Sequence, residues 1–150
     1  MEPELIRLAD ACRAFIDDRF PNVSDDDGAA AMLLEDGTIL LGTAPEVPNA
    51  SVELCHEVEP FCAAYRRQQR VVASICLCRE SAERFVVLSP CGVCRERLAA
   101  HGPDVMCAVA DRVDPTVVTW KRLRDIHLDY WATPFLEGDE AAGWSGSRAA

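Results

Sequence analysis

Residues 89–95 read Ser89-Pro90-Cys91-Gly92-Val93-Cys94-Arg95, and apolar positions continue from there at helical spacing to Ala100, ahead of Gly102 and Pro103. A helix over 91–100 is predicted, with a proline before it and a glycine behind. Cys91 and Cys94, three apart, then share one face at the helix N-terminus. The unsatisfied N–H groups and partial positive charge at that end favour thiolates over thiols. Taken alone, a C-x-x-C of this kind fits half of a zinc site, a redox pair or a coincidence.

Working outward, Leu5, Leu8, Cys12, Phe15 and Ile16 recur near helical spacing and predict a helix over residues 3–19, closed by Pro21. The apolar runs 28–34 and 38–41 are joined by Glu35-Asp36-Gly37, and an Asp-Gly between two such runs is a hairpin signal. Pro45 and Pro48 make 42–51 a loop. A helix over 52–69, strands over 71–78, 84–88 and 105–110, and a short helix over 120–126 follow from residue type and periodicity. The order predicts an α/β fold with three α-β-α layers, a mixed five-stranded sheet flanked by helices. Residues 1–136 are expected as a single domain and 137–150, ending in Gly143-Trp144-Ser145-Gly146-Ser147-Arg148-Ala149-Ala150, as a flexible C-terminal tail.

The 150 residues suit one core rather than two. Lys plus Arg number 15 against 25 Asp plus Glu, a net charge of −10 that argues against an extended nucleic-acid partner. At 49% hydrophobic and 27% charged residues the chain is too apolar for disorder, and it has no apolar run of membrane-spanning length. Met1-Glu2-Pro3-Glu4 is unlike a secretory signal, so a cytoplasmic protein with reduced thiols is expected. Eight cysteines there call for core packing, metal or catalysis rather than a disulfide framework.

A third thiol with a nearby carboxylate occurs in Cys55-His56-Glu57. C-x-E followed by P-C-x-x-C is the three-cysteine form of a zinc-deaminase signature. With these motifs, the hairpin Gly28–Gly37 and the gapless stretch Gly42–Glu57, the chain resembles the cytidine deaminase family, blasticidin S deaminases included. The resemblance implies one Zn2+ per chain on Cys55, Cys91 and Cys94, Glu57 as the catalytic proton shuttle, and a homo-oligomer, usually a tetramer. It further implies a small aminated heterocycle as the partner: an aminopyrimidine base, nucleoside or nucleoside antibiotic, hydrolysed with release of ammonia.

The chemistry suits these residues. Three ligands leave zinc a fourth position for water, whose pKa the metal lowers toward about 7. A carboxylate can then carry its proton to the ring. Three thiolates outweigh a divalent cation, and the arginine that many members of the family carry after the glutamate is Val58 here, so Arg95 and His56 are the local candidates to offset the excess. By the same resemblance Ala44, Glu46, His56 and Asp25 fall at substrate-binding positions, Ala44 replacing an asparagine and Asp25 an aromatic residue. Trp131, with Tyr130 and Phe135, is either core or an interface lid.

Blander readings stand beside these. Asp25-Asp26-Asp27 reads as a solvated turn, Arg66, Arg67 and Arg70 as a cationic helix end, and Pro60 as a kink inside its helix. Cys12, Cys62, Cys76, Cys78 and Cys107 read as small buried residues. The motif itself also admits a structural zinc knuckle, a deaminase of another aminated heterocycle such as a purine or triazine, or a non-catalytic zinc-stabilised binding module.

Overall fold

The computed structural model describes residues 1–23 and 27–144. Helix α1 (Glu2–Arg19) precedes the hairpin β1 (Asp27–Leu34) and β2 (Ile39–Gly42), in which Gly37 takes the left-handed φ of 84° that the turn requires. Helix α2 (Val58–Arg67) leads into β3 (Val71–Ser81) and β4 (Arg84–Val87), then α3 (Gly92–Ala99), β5 (Met106–Ala110), β6 (Val118–Arg122), α4 (Leu123–Ile126) and α5 (Gly138–Trp144). The strands lie in the order β2-β1-β3-β5-β6, and β4 pairs with the second half of β3. β3 and β5 run parallel, and the other neighbours are antiparallel.

All of β1 is buried because helices cover both faces. Its alternate residues Ala29, Ala31 and Leu33 meet Leu5, Leu8, Cys12 and Ile16 of α1 in one core, while Met32 and Leu34 join Ala64, Leu98, Val105 and Leu123 in the other. This is the three-layer arrangement expected.

Four elements differ from the expectation. The sheet has six strands, because Val118–Arg122 pairs with β5 along its length and only Leu123–Ile126 is helical. The β-branched and aromatic Val118, Thr119 and Trp120 find strand partners and a place against the α1 core, which outweighs the local helical spacing. α2 begins at Val58 rather than at 52: Ala50–Val52 is a single 3-10 turn capped by the Asn49 side chain. Pro60 therefore lies in the first helical turn, where its missing N–H costs nothing, and it is not a kink. Residues 138–144 of the expected tail form α5, whose Trp144 is buried with its ring 4.3 Å from that of Tyr130.

The acidic run also differs. Asp27 is buried as the first residue of β1, and its carboxylate accepts from Arg79 Nη2 at 2.6 Å. The Arg79 guanidinium further binds Asp17 at 2.8 Å and the Phe20 carbonyl, tying the end of α1 to β1 and β3. Asp25 and Asp26 lie outside the described residues.

Candidate metal centre and cleft

Two helix starts converge. Cys91 is the N-cap of α3, extended at φ −66° and ψ 169°, and its carbonyl accepts from Arg95 N–H at 2.9 Å, which leaves the side chain at the helix mouth with Cys94 one turn in. Cys55 stands ahead of α2, its carbonyl accepting from Val58 N–H at 3.1 Å, and Glu57 is that helix's N-cap. Cys55 Sγ lies 3.6 Å from Cys91 Sγ, and the three sulfurs of Cys55, Cys91 and Cys94 all lie within 4.8 Å of one another. Tetrahedral Zn–S bonds of about 2.3 Å place sulfurs roughly 3.8 Å apart, so this donor set fits zinc. Soft thiolates also select zinc over the hard cations that prefer oxygen. Three protein donors leave one position open, as in catalytic rather than structural zinc sites.

The sulfurs are not alike. Burial raises the Cys91 thiol, but N–H groups of Cys94 and Val93 and the neighbouring thiols outweigh it, so Cys91 falls below the ordinary cysteine value. Cys94, 1% exposed, is pushed well up by burial and then by the negative charge of Glu57. Cys55 is raised by burial and by Cys91. A cation is what lets all three ionise together.

Glu57, 5% exposed, is held beside this cluster, with its carbonyl accepting from Phe61 N–H at 3.1 Å. Arg95 donates from Nε to the Pro90 carbonyl and from Nη1 to that of Ile126, both at 2.8 Å, so it rivets the cysteine turn to α4. The guanidinium that reaches sulfur belongs to Arg97, whose Nη1 lies 3.8 Å from Cys94 Sγ. Sequence reasoning missed Arg97, although its position three residues beyond Cys94 on one helix is the available signal.

Beside the cluster opens a cleft of ≈ 1060 Å³ whose walls include Arg19, Asp27, Ala44, Glu46, Glu53 and His56. The structure thus brings together three of the four expected substrate positions, Ala44, Glu46 and His56, while Asp25 lies outside the described residues. The His56 ring fits only because residue 28 is glycine: a Cβ there would stand 2.7 Å from His56 Nε2. Gly42 is equally constrained, since its Cβ would stand 2.3 Å from Pro60 Cδ and 2.6 Å from the His56 carbonyl oxygen. Two glycines thereby let the hairpin approach the chain that carries Cys55, His56 and Glu57. Trp131 is away from the core, with Nε1 donating to Glu96 of α3 at 2.8 Å.

Among solved structures, the cytidine deaminase from Bacillus anthracis is 40% identical, with 93% of this chain and 96% of that one covered at a TM-score of 0.81. The chain belongs to the cytidine deaminase family. The cytidine deaminase from Mycobacterium tuberculosis is 30% identical over 68% of this chain and 76% of its own, with a TM-score of 0.53. That from Mycobacterium leprae, at 22% identity, 76% and 91% coverage and a TM-score of 0.56, shares the fold. No family model and no curated protein matches the chain. In this cytidine deaminase family member, Cys62 departs from the buried role expected of it and is exposed on α2, whereas Cys12, Cys76 and Cys107 are buried.

Proposed function

We propose that the protein is a zinc-dependent hydrolytic deaminase of an aminopyrimidine base, nucleoside or nucleoside antibiotic, releasing ammonia. The observation that carries this reading is the three-sulfur cluster at two helix starts with a buried carboxylate beside it. Cys55, Cys91 and Cys94 hold one zinc per chain. Zinc at such a site supplies Lewis acidity that lowers the pKa of water toward about 7. Glu57 takes one proton from the attacking water at a carboxylate oxygen and delivers it to the ring nitrogen. It then takes the remaining proton from the added hydroxyl and carries it to the amino group, which leaves as ammonia while the carbonyl forms.

Ala44, Glu46 and His56 bind the substrate from the cleft wall, and Asp25 belongs to the same set by its place in the family pattern. Ala44 offers no side-chain hydrogen bond to a sugar, and among the described residues of the cleft wall Glu46 and Glu53 outnumber Arg19, so a neutral or cationic ligand is favoured over a nucleoside phosphate. The active form is a homotetramer in a reducing cytoplasm, supported by the exposed aromatics around Trp131 and by thiols that a zinc site requires reduced. The described helices include none long and apolar enough to cross a membrane.

The decisive experiment is Glu57→Gln, assayed for ammonia over a panel of cytosine, cytidine, cytidine monophosphate, a cationic cytosine nucleoside and non-pyrimidine amines. The variant should keep its zinc and lose about 10²–10⁴-fold in turnover, the usual contribution of general acid–base catalysis. Unchanged turnover in the variant, or no ammonia from any pyrimidine with the zinc-loaded wild type, refutes the reading.

A further inference from the structure

A second donor cluster lies against the first. His56, Glu57 and Cys76 each offer one ligand atom, and these atoms all lie within 4.8 Å of one another. Cys76 comes from β3, opposite Ala30 in the register, and its carbonyl accepts from Leu88 N–H at 2.9 Å just ahead of the Ser89–Cys94 turn. The cysteine thus stands beneath the metal centre. Glu57 and Cys76 are buried, while His56 is half-buried and lines the cleft, which gives the cluster a path to solvent.

We infer that His56, Glu57 and Cys76 form a second, inhibitory site for a zinc ion. One nitrogen, one oxygen and one sulfur are the mixed set that a borderline-soft divalent cation accepts and hard cations do not. Donors around tetrahedral zinc lie roughly 3.3–3.8 Å apart, a spacing within the 4.8 Å that bounds these three atoms. Charge favours it as well. Three thiolates exceed the charge of one zinc, Glu57 adds another negative charge, and Arg97 supplies a single positive one, so the neighbourhood stays anionic in a water-poor setting. Binding releases the Cys76 proton to solvent and leaves a zinc–thiolate bond in its place.

The consequence for catalysis rests on the proposed role of Glu57. A cation that takes this carboxylate removes the proton carrier and obstructs the cleft at His56, so free zinc above the amount that fills the three-cysteine site switches turnover off. The first site comes from the C-x-E and P-C-x-x-C motifs, and the second from a strand cysteine that neither motif includes.

The test is equilibrium dialysis of the zinc-loaded protein against buffered free zinc, with metal and protein assayed on the same samples. Wild type should rise from one zinc per chain to two in the micromolar range, and Cys76→Ala should stop at one. In parallel, ammonia release by wild type should fall at least tenfold over the same range, while Cys76→Ala keeps its basal rate within about twofold and resists the added zinc. The stoichiometry reads the site whether or not the protein deaminates anything, so failure of the functional proposal is seen separately, as a missing basal rate. If Cys76→Ala does not fold, His56→Ala reads the same stoichiometry. Wild type that stays at one zinc throughout overturns the proposal, as does a variant that still takes up the second.

Discussion

Arg97 stands three residues beyond Cys94 on α3 with Nη1 3.8 Å from its sulfur, and this contact bears on how a three-thiolate site keeps a metal. A buried thiolate is costly, and Cys94 is the most buried of the three and is raised furthest by burial and by Glu57. A fixed guanidinium beside it favours the ionised form and the metal that needs it. Outer-shell partners of metal ligands are typically worth 10–100-fold in affinity or activity. Arg97→Gln should therefore speed zinc loss to a chelator by about that factor, with Arg97→Lys between the two. Equal loss rates for wild type and Arg97→Gln would mean that the contact carries no charge stabilisation. That the three sulfurs of Cys55, Cys91 and Cys94 come together was legible in the sequence because C-x-E and P-C-x-x-C have fixed spacings. Arg97 was not, because helical spacing offers two arginines, Arg97 three beyond Cys94 and Arg95 four beyond Cys91, and only the folded helix turns Arg95 toward the carbonyls of Pro90 and Ile126 and Arg97 toward sulfur.

Between elements, the start of β3 is pinned to the end of α3 by His101, whose Nδ1 accepts from Val71 N–H at 3.1 Å while its ring stands edge-on to Phe61. Burial, and then Arg70, holds His101 below the ordinary histidine value. The neutral ring can accept that bond and the protonated ring cannot. The unfolded chain therefore binds the proton more readily, and the stability due to His101 is full above about pH 6.5 and is lost as pH falls through its lower folded value. His101→Gln should cost about 1 kcal/mol in urea unfolding at pH 7.5, the worth of one hydrogen bond, and the gap from wild type should narrow toward pH 5.5. A gap independent of pH would count against this account. Strand β3 was readable as a near-continuous run of apolar and β-branched residues, and helix α3 from the proline before it and the Gly102-Pro103 stop behind it. β6 and the start of α2 were not: Trp120 obeys a helical spacing that β5 overrides by pairing, and α2 starts only at Val58, which places Pro60 in the first turn, where a helix accepts it.

At the scale of the whole molecule, the two cores leave a set of large apolar side chains uncovered beside α3. Trp131 is 65% exposed and Phe135 78%, with ring centroids 6.3 Å apart, and Leu128 is exposed with them. Trp131 Nε1 is anchored to Glu96, so the patch is fixed to the helix that carries Cys91 and Cys94. Each large aromatic contributes about 150–250 Å² when buried, and a specific interface needs about 800 Å² from each partner, so these residues fit an interface hot spot rather than a whole interface. Copies with a net charge of −10 repel one another, and salt screens that repulsion while leaving apolar burial intact. Light scattering at micromolar concentration should give a tetramer mass that persists to greater dilution as ionic strength rises. Trp131→Glu combined with Phe135→Glu should shift the mass downward and lower turnover together, while the zinc content per chain stays the same because Cys55, Cys91 and Cys94 all belong to one chain. A wild type that is monomeric under these conditions, or a double variant that keeps both its mass and its rate, removes the patch from assembly and from catalysis.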